Sequence, residues 1–323
     1  MTDRPTSPRA ELLTRLRQGP IGYGTAPLAG LFTPVGEAEA AAALQAGWDA
    51  GVRYFDTAPY YGAGVAERRL GAFLRSRPRS EYVVSTKVGR VLVPDEPQPG
   101  GPQPEGSPFV EKSELVSQRD YSRDGVLRSI EDSAARTGLD HFDLVLIHDA
   151  EEYWEPAITQ AYPTLVELRD EGVIGAIGAG LNEAGMMARF LRETDMDAVL
   201  MAGCYTLLDR TAADEVLPLC QERGVGLIIG GVFNSGILAD PVDGARYHYE
   251  PAPADLLRRA RTMQAVCAEY GVPLAAAAIQ FPRRHPAVTT VLAGARSAQE
   301  ITDDAALAGI AIPDELWDRL EAL

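Results

Sequence analysis

The stretch Phe55-Asp56-Thr57-Ala58-Pro59-Tyr60-Tyr61-Gly62 decides how this chain is read. It follows a short apolar run and precedes a helical one, so an acid and a phenol five residues apart stand at the end of an expected strand. Two later runs end in the same way: Val83-Val84-Ser85-Thr86-Lys87 and Leu144-Val145-Leu146-Ile147-His148. An Asp, a Tyr, a Lys and a His at the carboxyl ends of early strands can meet only if those strands are parallel neighbours. A closed (β/α)8 barrel, the TIM-barrel architecture, brings them together, because its active site lies where the strand C-termini open.

Working outward, short apolar runs predict strands at 21–25, 52–56, 82–87, within 140–148 after a turn, and at 173–178, 198–201, 225–229 and 289–292. Between them, apolar residues at helical spacing predict helices over 37–50, 65–75, 123–137, 162–171, 183–193, 211–223, 255–270 and 274–281, with two more from 297 and over 313–323. Asn182 stands where it would cap the helix over 183–193. Residues 1–16 are given no element and lack the apolar stretch of a secretion signal. None of the connections reads as a hairpin. Strict strand–helix alternation of this kind is the pattern of a closed parallel barrel. An open doubly wound sheet would usually carry a G-x-G-x-x-G turn after its first strand, and 21–30 has none. The whole of 1–323 reads as one barrel domain with an insertion at about 90–120. Six prolines and three glycines between Pro94 and Pro108 make that insertion a loop on the expected active-site rim. A lid over the substrate and a plain surface insertion are both open readings.

Composition narrows the function. With 46% hydrophobic residues the chain can build a large core without disulfides, and Cys204, Cys220 and Cys267 read as reduced, buried side chains of a cytoplasmic protein. A net charge of −16 argues against nucleic acid and against an anionic membrane surface. No run approaches the ~20 apolar residues of a membrane span. The expected partner is a small molecule, and homo-oligomerisation is left open. The 30 basic residues include two lysines, Lys87 and Lys112. Where Arg serves almost everywhere, a Lys ending an apolar strand points to a need for a compact ammonium.

The four groups suggest their own roles. A tyrosine moves a proton near neutrality only if its pKa falls from about 10. Lys87 would lower the pKa of Tyr61, Asp56 would hold Lys87, and His148 would orient the substrate oxygen. A lyase forming a Schiff base at Lys87 is the rival within the barrel class, but it needs a free amine. A regulatory subunit would be expected to have lost the tetrad.

Phe-Asp-Thr-Ala-Pro-x-Tyr-Gly, then Glu67, Leu70 and Gly71, then Ser-Thr-Lys, then Leu-Ile-His resemble the aldo-keto reductase superfamily along essentially the whole chain. The resemblance implies an eight-stranded barrel binding NAD(P)H, with Asp56, Tyr61, Lys87 and His148 as the catalytic set. It chooses Tyr61 over Tyr60, because Tyr61 lies five residues after Asp56 and before Gly62. For the cofactor it implies Tyr205 stacking on the nicotinamide, and Asn182 holding the carboxamide. It places the pyrophosphate along 231–235, including Gly231 and Asn234, and the adenosine end near Arg296, Ser297 and Glu300, with Thr25 and Asp56 beside the site. Leu181 and Ala202 replace a Ser and a Gln of the family pattern. Acids at Glu300, Asp303 and Asp304 would repel a 2′-phosphate, so NAD is favoured over NADP despite Arg296. Segments such as Gly-Gly-Val-Phe-Asn-Ser-Gly-Ile-Leu and Ala-Ala-Ile-Gln-Phe-Pro are similar to the D-threo-aldose (L-fucose) dehydrogenase branch. That implies oxidation of an anomeric hydroxyl to a lactone, with L-galactose and pyridoxal dehydrogenases close to the same pattern and an NADPH-dependent carbonyl reductase as a further alternative.

Overall fold

A computed structural model describes residues 7–95, 108–110 and 113–323; Lys112 and most of the proline-rich segment read above as a lid or surface insertion lie outside them. The strands run β1 (Gly22–Gly24), β2 (Tyr54–Asp56), β3 (Val83–Pro94), β4 (Leu115–Asp120), β5 (Leu144–His148), β6 (Ile177–Leu181), β7 (Ala198–Ala202), β8 (Gly226–Gly230), β9 (Arg246–Tyr247), β10 (Glu250–Pro251) and β11 (Val288–Gly294). Eight of them, β1, β2, β3, β5, β6, β7, β8 and β11, pair in parallel in that order, and β1 closes the ring on β11. The barrel expected from the alternation is therefore the architecture observed.

Side chains alternate across each strand, which gives the barrel two apolar shells. Tyr54, Val83, Leu144, Leu146, Ala198, Leu200, Ile228 and Leu292 cluster inside. Phe55, Val84, Val145, Ile147, Ile177 and Ile229 belong to the larger cluster under the helices. The motif residues Glu67 and Gly71 prove to be structural. Helix Val65–Leu74 lies so close to helix Arg123–Thr137 that a Cβ on Gly71 would sit 2.1 Å from the Thr137 carbonyl oxygen. Glu67 is fully buried, accepting from Arg136 Nε at 2.6 Å and from Thr86 Oγ1 at 3.1 Å.

Several expectations are corrected. There is a hairpin: β3 runs on past Lys87 to Pro94, and β4 returns antiparallel along it, from Gly89 opposite Asp120 to Pro94 opposite Leu115. The sequence hid it because the proline-rich segment separates two runs that pair only in three dimensions. Residues Pro8–Leu16 form a helix, capped by Ser7, whose Leu12 and Leu16 join the barrel-interior cluster. Arg9 and Arg15 of that helix bind Asp197 at 3.0 Å and Asp143 at 2.7 Å. The helix expected over 211–223 is shorter, Val216–Arg223. Asn182 does not cap Ala184–Glu193; Glu183 occupies that position, without a side-chain capping bond. No helix of the described residues is long and apolar enough to cross a membrane.

Candidate active site

Strand register assembles the site. Gly24 of β1 lies beside Asp56 of β2, and Asp56 beside Ser85 of β3. Lys87 is two residues beyond Ser85 and therefore on the same face of β3. Ser85 Oγ donates to Asp56 Oδ1 at 2.7 Å, and Lys87 Nζ meets Asp56 Oδ2 at 2.7 Å. The same ammonium donates to the Thr57 carbonyl at 2.9 Å and to Tyr61 Oη at 3.0 Å. The turn after β2 brings Tyr61 back over the barrel. It needs glycine at position 62, where φ is 61° and a Cβ would lie 2.7 Å from Ala29 Cβ. His148 ends β5 with its ring 5.9 Å from the Tyr61 ring, nearly perpendicular to it.

The proton equilibria differ from expectation in one respect. Burial, then the charge of Asp56, then Asp149 and Tyr249 push the Tyr61 phenol well above its ordinary pKa, against a smaller pull from Arg90. The expected lowering by Lys87 is not realised in the protein alone. Its ammonium is paired with Asp56, whose charge acts on the phenol in the opposite direction. Burial takes His148 down to about 3, so its imidazole is neutral, and Nδ1 has no hydrogen-bond partner among the described residues. A neutral imidazole can donate one hydrogen bond to a substrate oxygen and a protonated phenol can give it a proton.

A second ring of residues braces this set, and the sequence reading missed it. Tyr121, which follows β4, donates to the carbonyls of His148 at 2.6 Å and Asp149 at 2.9 Å. Arg119 of β4 donates to Tyr121 Oη at 2.7 Å and also to the Asp149 carbonyl. Asp149 has φ 46°, a left-handed conformation uncommon outside glycine, and the Gly180 carbonyl accepts its N–H at 3.0 Å. Its carboxylate accepts from Arg90 at 3.2 Å and from Asn182 Nδ2 at 3.1 Å. Position next to His148 was the available signal, but the left-handed bend at Asp149 is invisible in sequence.

Beside the tetrad lies a cavity of about 880 Å³. Asp56, Tyr61, Asn182, Gly231, Asn234, Arg296 and Glu300 line it, together with Asp303 and Asp304. Its walls include Gly24, Gly203, Gly230, Gly236 and Gly294, so bare backbone faces the space. Asn234 Oδ1 is buried there with no partner among the described residues. A long glycine-walled cleft with an orphaned polar atom and carboxylates near Arg296 fits a dinucleotide. Three residues expected at the cofactor do not line it. Thr25 is buried and gives both its N–H and its hydroxyl to the Asp56 carbonyl, each at 2.9 Å. Ser297 caps helix Ala298–Leu307, accepting from the Glu300 N–H at 3.2 Å. Tyr205 packs on Phe281, ring centroids 5.2 Å apart, and near His285 at 6.2 Å. The chain turns at Gly203 and carries Tyr205 toward these rings. The aromatic rings lining the cavity come instead from Phe32, Tyr61, Phe233, His248 and Tyr249.

The family model described as "Aldo/keto reductase family" matches residues 20–323. The chain belongs to the aldo/keto reductase family. This aldo/keto reductase is 43% identical to a D-threo-aldose 1-dehydrogenase of Pseudomonas sp, over 93% of the chain and 92% of that protein. It is 44% identical to a pyridoxal 4-dehydrogenase of Microbacterium luteolum, over 94% and 93%. Among solved structures, an aldo-keto reductase from Bacillus halodurans in its holo form superposes with a TM-score of 0.74 at 23% identity, covering 94% of this chain and 91% of that one, which speaks to the fold alone. As a member of this family with dehydrogenase relatives, the aldo/keto reductase is an NAD(P)-dependent oxidoreductase.

Proposed function

We propose that this enzyme oxidises the anomeric hydroxyl of an aldose of the L-fucose, D-threo type to the lactone, with NAD as the hydride acceptor. The observation that carries the reading is the buried Asp56–Lys87–Tyr61 chain, with contacts of 2.7 and 3.0 Å, facing His148. Its reach to an aldose rests on the 43% identity with the Pseudomonas protein.

The glycine-walled cavity would hold the dinucleotide, which would supply a carbon able to accept or return a hydride. Asn182, Gly231, Asn234, Arg296 and Glu300 would hold it. The protein's share is the proton. His148 donates a hydrogen bond to the reacting oxygen and orients it, and Tyr61 Oη exchanges the hydroxyl proton. Asp56 fixes Lys87, and Lys87 fixes the phenolic oxygen. Lys87 is held in three hydrogen bonds, which disfavours it as a free nucleophilic amine.

Cofactor preference rests on one ion pair and its neighbours. Glu300 accepts from the Arg296 guanidinium at 2.9 Å and from its N–H at 2.7 Å. The cation that would greet a 2′-phosphate is already neutralised, and Asp303 and Asp304 add charge of the wrong sign. Ribose hydroxyls suit such acceptors.

A second reading, oxidation of pyridoxal in its cyclic hemiacetal form, is favoured by the 44% identity with the Microbacterium protein. Absorbance of reduced nicotinamide decides between them, with NAD or NADP against L-fucose, D-arabinose, L-galactose and pyridoxal. NAD reduction by the sugars is the expected result. Turnover of pyridoxal alone transfers the mechanism to the second reading. NADPH-dependent reduction of simple aldehydes without sugar oxidation refutes both.

A further inference from the structure

The mechanism above leaves Asp149 unused, and its placement gives it a task. Its Oδ2 lies 3.5 Å from Nε2 of His148, the residue to which the proposed mechanism gives the reacting oxygen. Arg90 and Asn182 hold the carboxylate from two directions, and the side chain keeps about 24% of its surface accessible. The left-handed backbone at φ 46°, pinned through the Asp149 carbonyl by Tyr121 and Arg119, aims it. Burial opposes its charge, but the Arg90 and Arg119 guanidiniums help hold Asp149 below the ordinary carboxylate value. A carboxylate accepts and does not donate, so it seeks a hydroxyl or an amine.

Hydroxyls on adjacent carbons of a ring stand roughly 3 Å apart, about one hydrogen-bond length. A substrate oxygen held on His148 Nε2 therefore brings the hydroxyl of the neighbouring carbon within reach of Asp149. We infer that Asp149 is a specificity-determining residue that accepts a hydrogen bond from the substrate hydroxyl next to the reacting carbon, with Arg90 and Asn182 as its positioning residues. The class of substrate selected is a cyclic hemiacetal with a hydroxyl beside the reacting centre. This rests on the oxidative reading given above.

The test compares D-arabinose with 2-deoxy-D-ribose, which differs from it in lacking the C2 hydroxyl. A hydrogen bond to a charged group is worth about 10- to 100-fold in kcat/KM, and a site built around a hydroxyl can reject its absence more strongly. The wild-type enzyme should prefer D-arabinose by at least that factor. In Asp149→Asn and Asp149→Ala the ratio should fall toward one, whereas a purely structural defect lowers both substrates alike and leaves the ratio intact. Equal use of the two sugars by the wild type, or an unchanged ratio in variants with a native melting curve, overturns the inference. If no sugar is oxidised but pyridoxal is, the aldose reading fails and the inference falls with it, because the ring carbon next to the reacting carbon of pyridoxal bears no hydroxyl; sugar oxidation with an unchanged ratio overturns the inference alone.

Discussion

Replacing Lys87 with methionine keeps the apolar stem and deletes the ammonium that joins Asp56, Thr57 and Tyr61. Lys87 and Asp56 are each 2% exposed, so the substitution leaves a carboxylate in the barrel interior with the Ser85 hydroxyl but without its cation. Breaking a buried pair from one side costs about 3–5 kcal/mol, because the remaining charge stays desolvated. In a chain of this size that is on the order of 6–10 °C in melting temperature. Turnover should fall by roughly 10²–10⁴, the usual worth of a positioned proton-transfer group. The informative variant is the double substitution Asp56→Asn with Lys87→Met. It removes the stranded charge, so it should regain most of the lost stability and none of the activity. Circular-dichroism melts of the three proteins, paired with nicotinamide absorbance, read both quantities. A double variant no more stable than Lys87→Met would refute the argument from an uncompensated charge. A Lys87→Met enzyme with parental turnover would refute the role given to the tetrad.

Burial and Asp56 hold the Tyr61 phenol above its ordinary pKa, so the protonated form dominates at neutrality. Oxidation, which needs the Tyr61 phenolate to accept a proton, should speed up as pH rises, whereas reduction should stay flat through neutrality and slow only as pH nears the raised phenol value; parallel pH–rate profiles in the two directions check this. Asp304 is raised to about 7 by burial, then by Glu300 and Asp303, so it is neutral below that value and charged above it. The preference for NAD over NADP should grow as pH passes upward through neutrality and flatten in Asp304→Asn, read as the ratio of kcat/KM for the two cofactors. Gly71→Ala forces a methyl to 2.1 Å from the Thr137 carbonyl, and should cost about 1–3 kcal/mol in denaturant unfolding with little change in KM.

The tetrad could be read from the chain because Asp56, Lys87 and His148 each end a local strand signal, Tyr61 follows five residues after Asp56, and parallel register then leaves few ways to arrange them. Asp56 pairs with Ser85, and Lys87 follows on the same face. What lay beyond the sequence depends on contacts between distant segments. The β3–β4 hairpin pairs runs separated by the proline-rich insertion, and local periodicity cannot report such a pairing. The helix Pro8–Leu16 forms because Leu12 and Leu16 find the barrel interior and its arginines find Asp143 and Asp197, partners more than a hundred residues away. Tyr205 carried the family's aromatic signal, yet the turn at Gly203 delivers it to Phe281. Proton affinities were the least legible of all. The identities of Tyr61 and Lys87 suggested a lowered phenol, but the sign was decided by burial and by a carboxylate 2.7 Å from the ammonium. Sequence determined which chemical groups stand in or just after the early strands, and hence the barrel and the set proposed for proton transfer. Only the tertiary structure decided which charges are already paired, because desolvation and distance are properties of the folded chain.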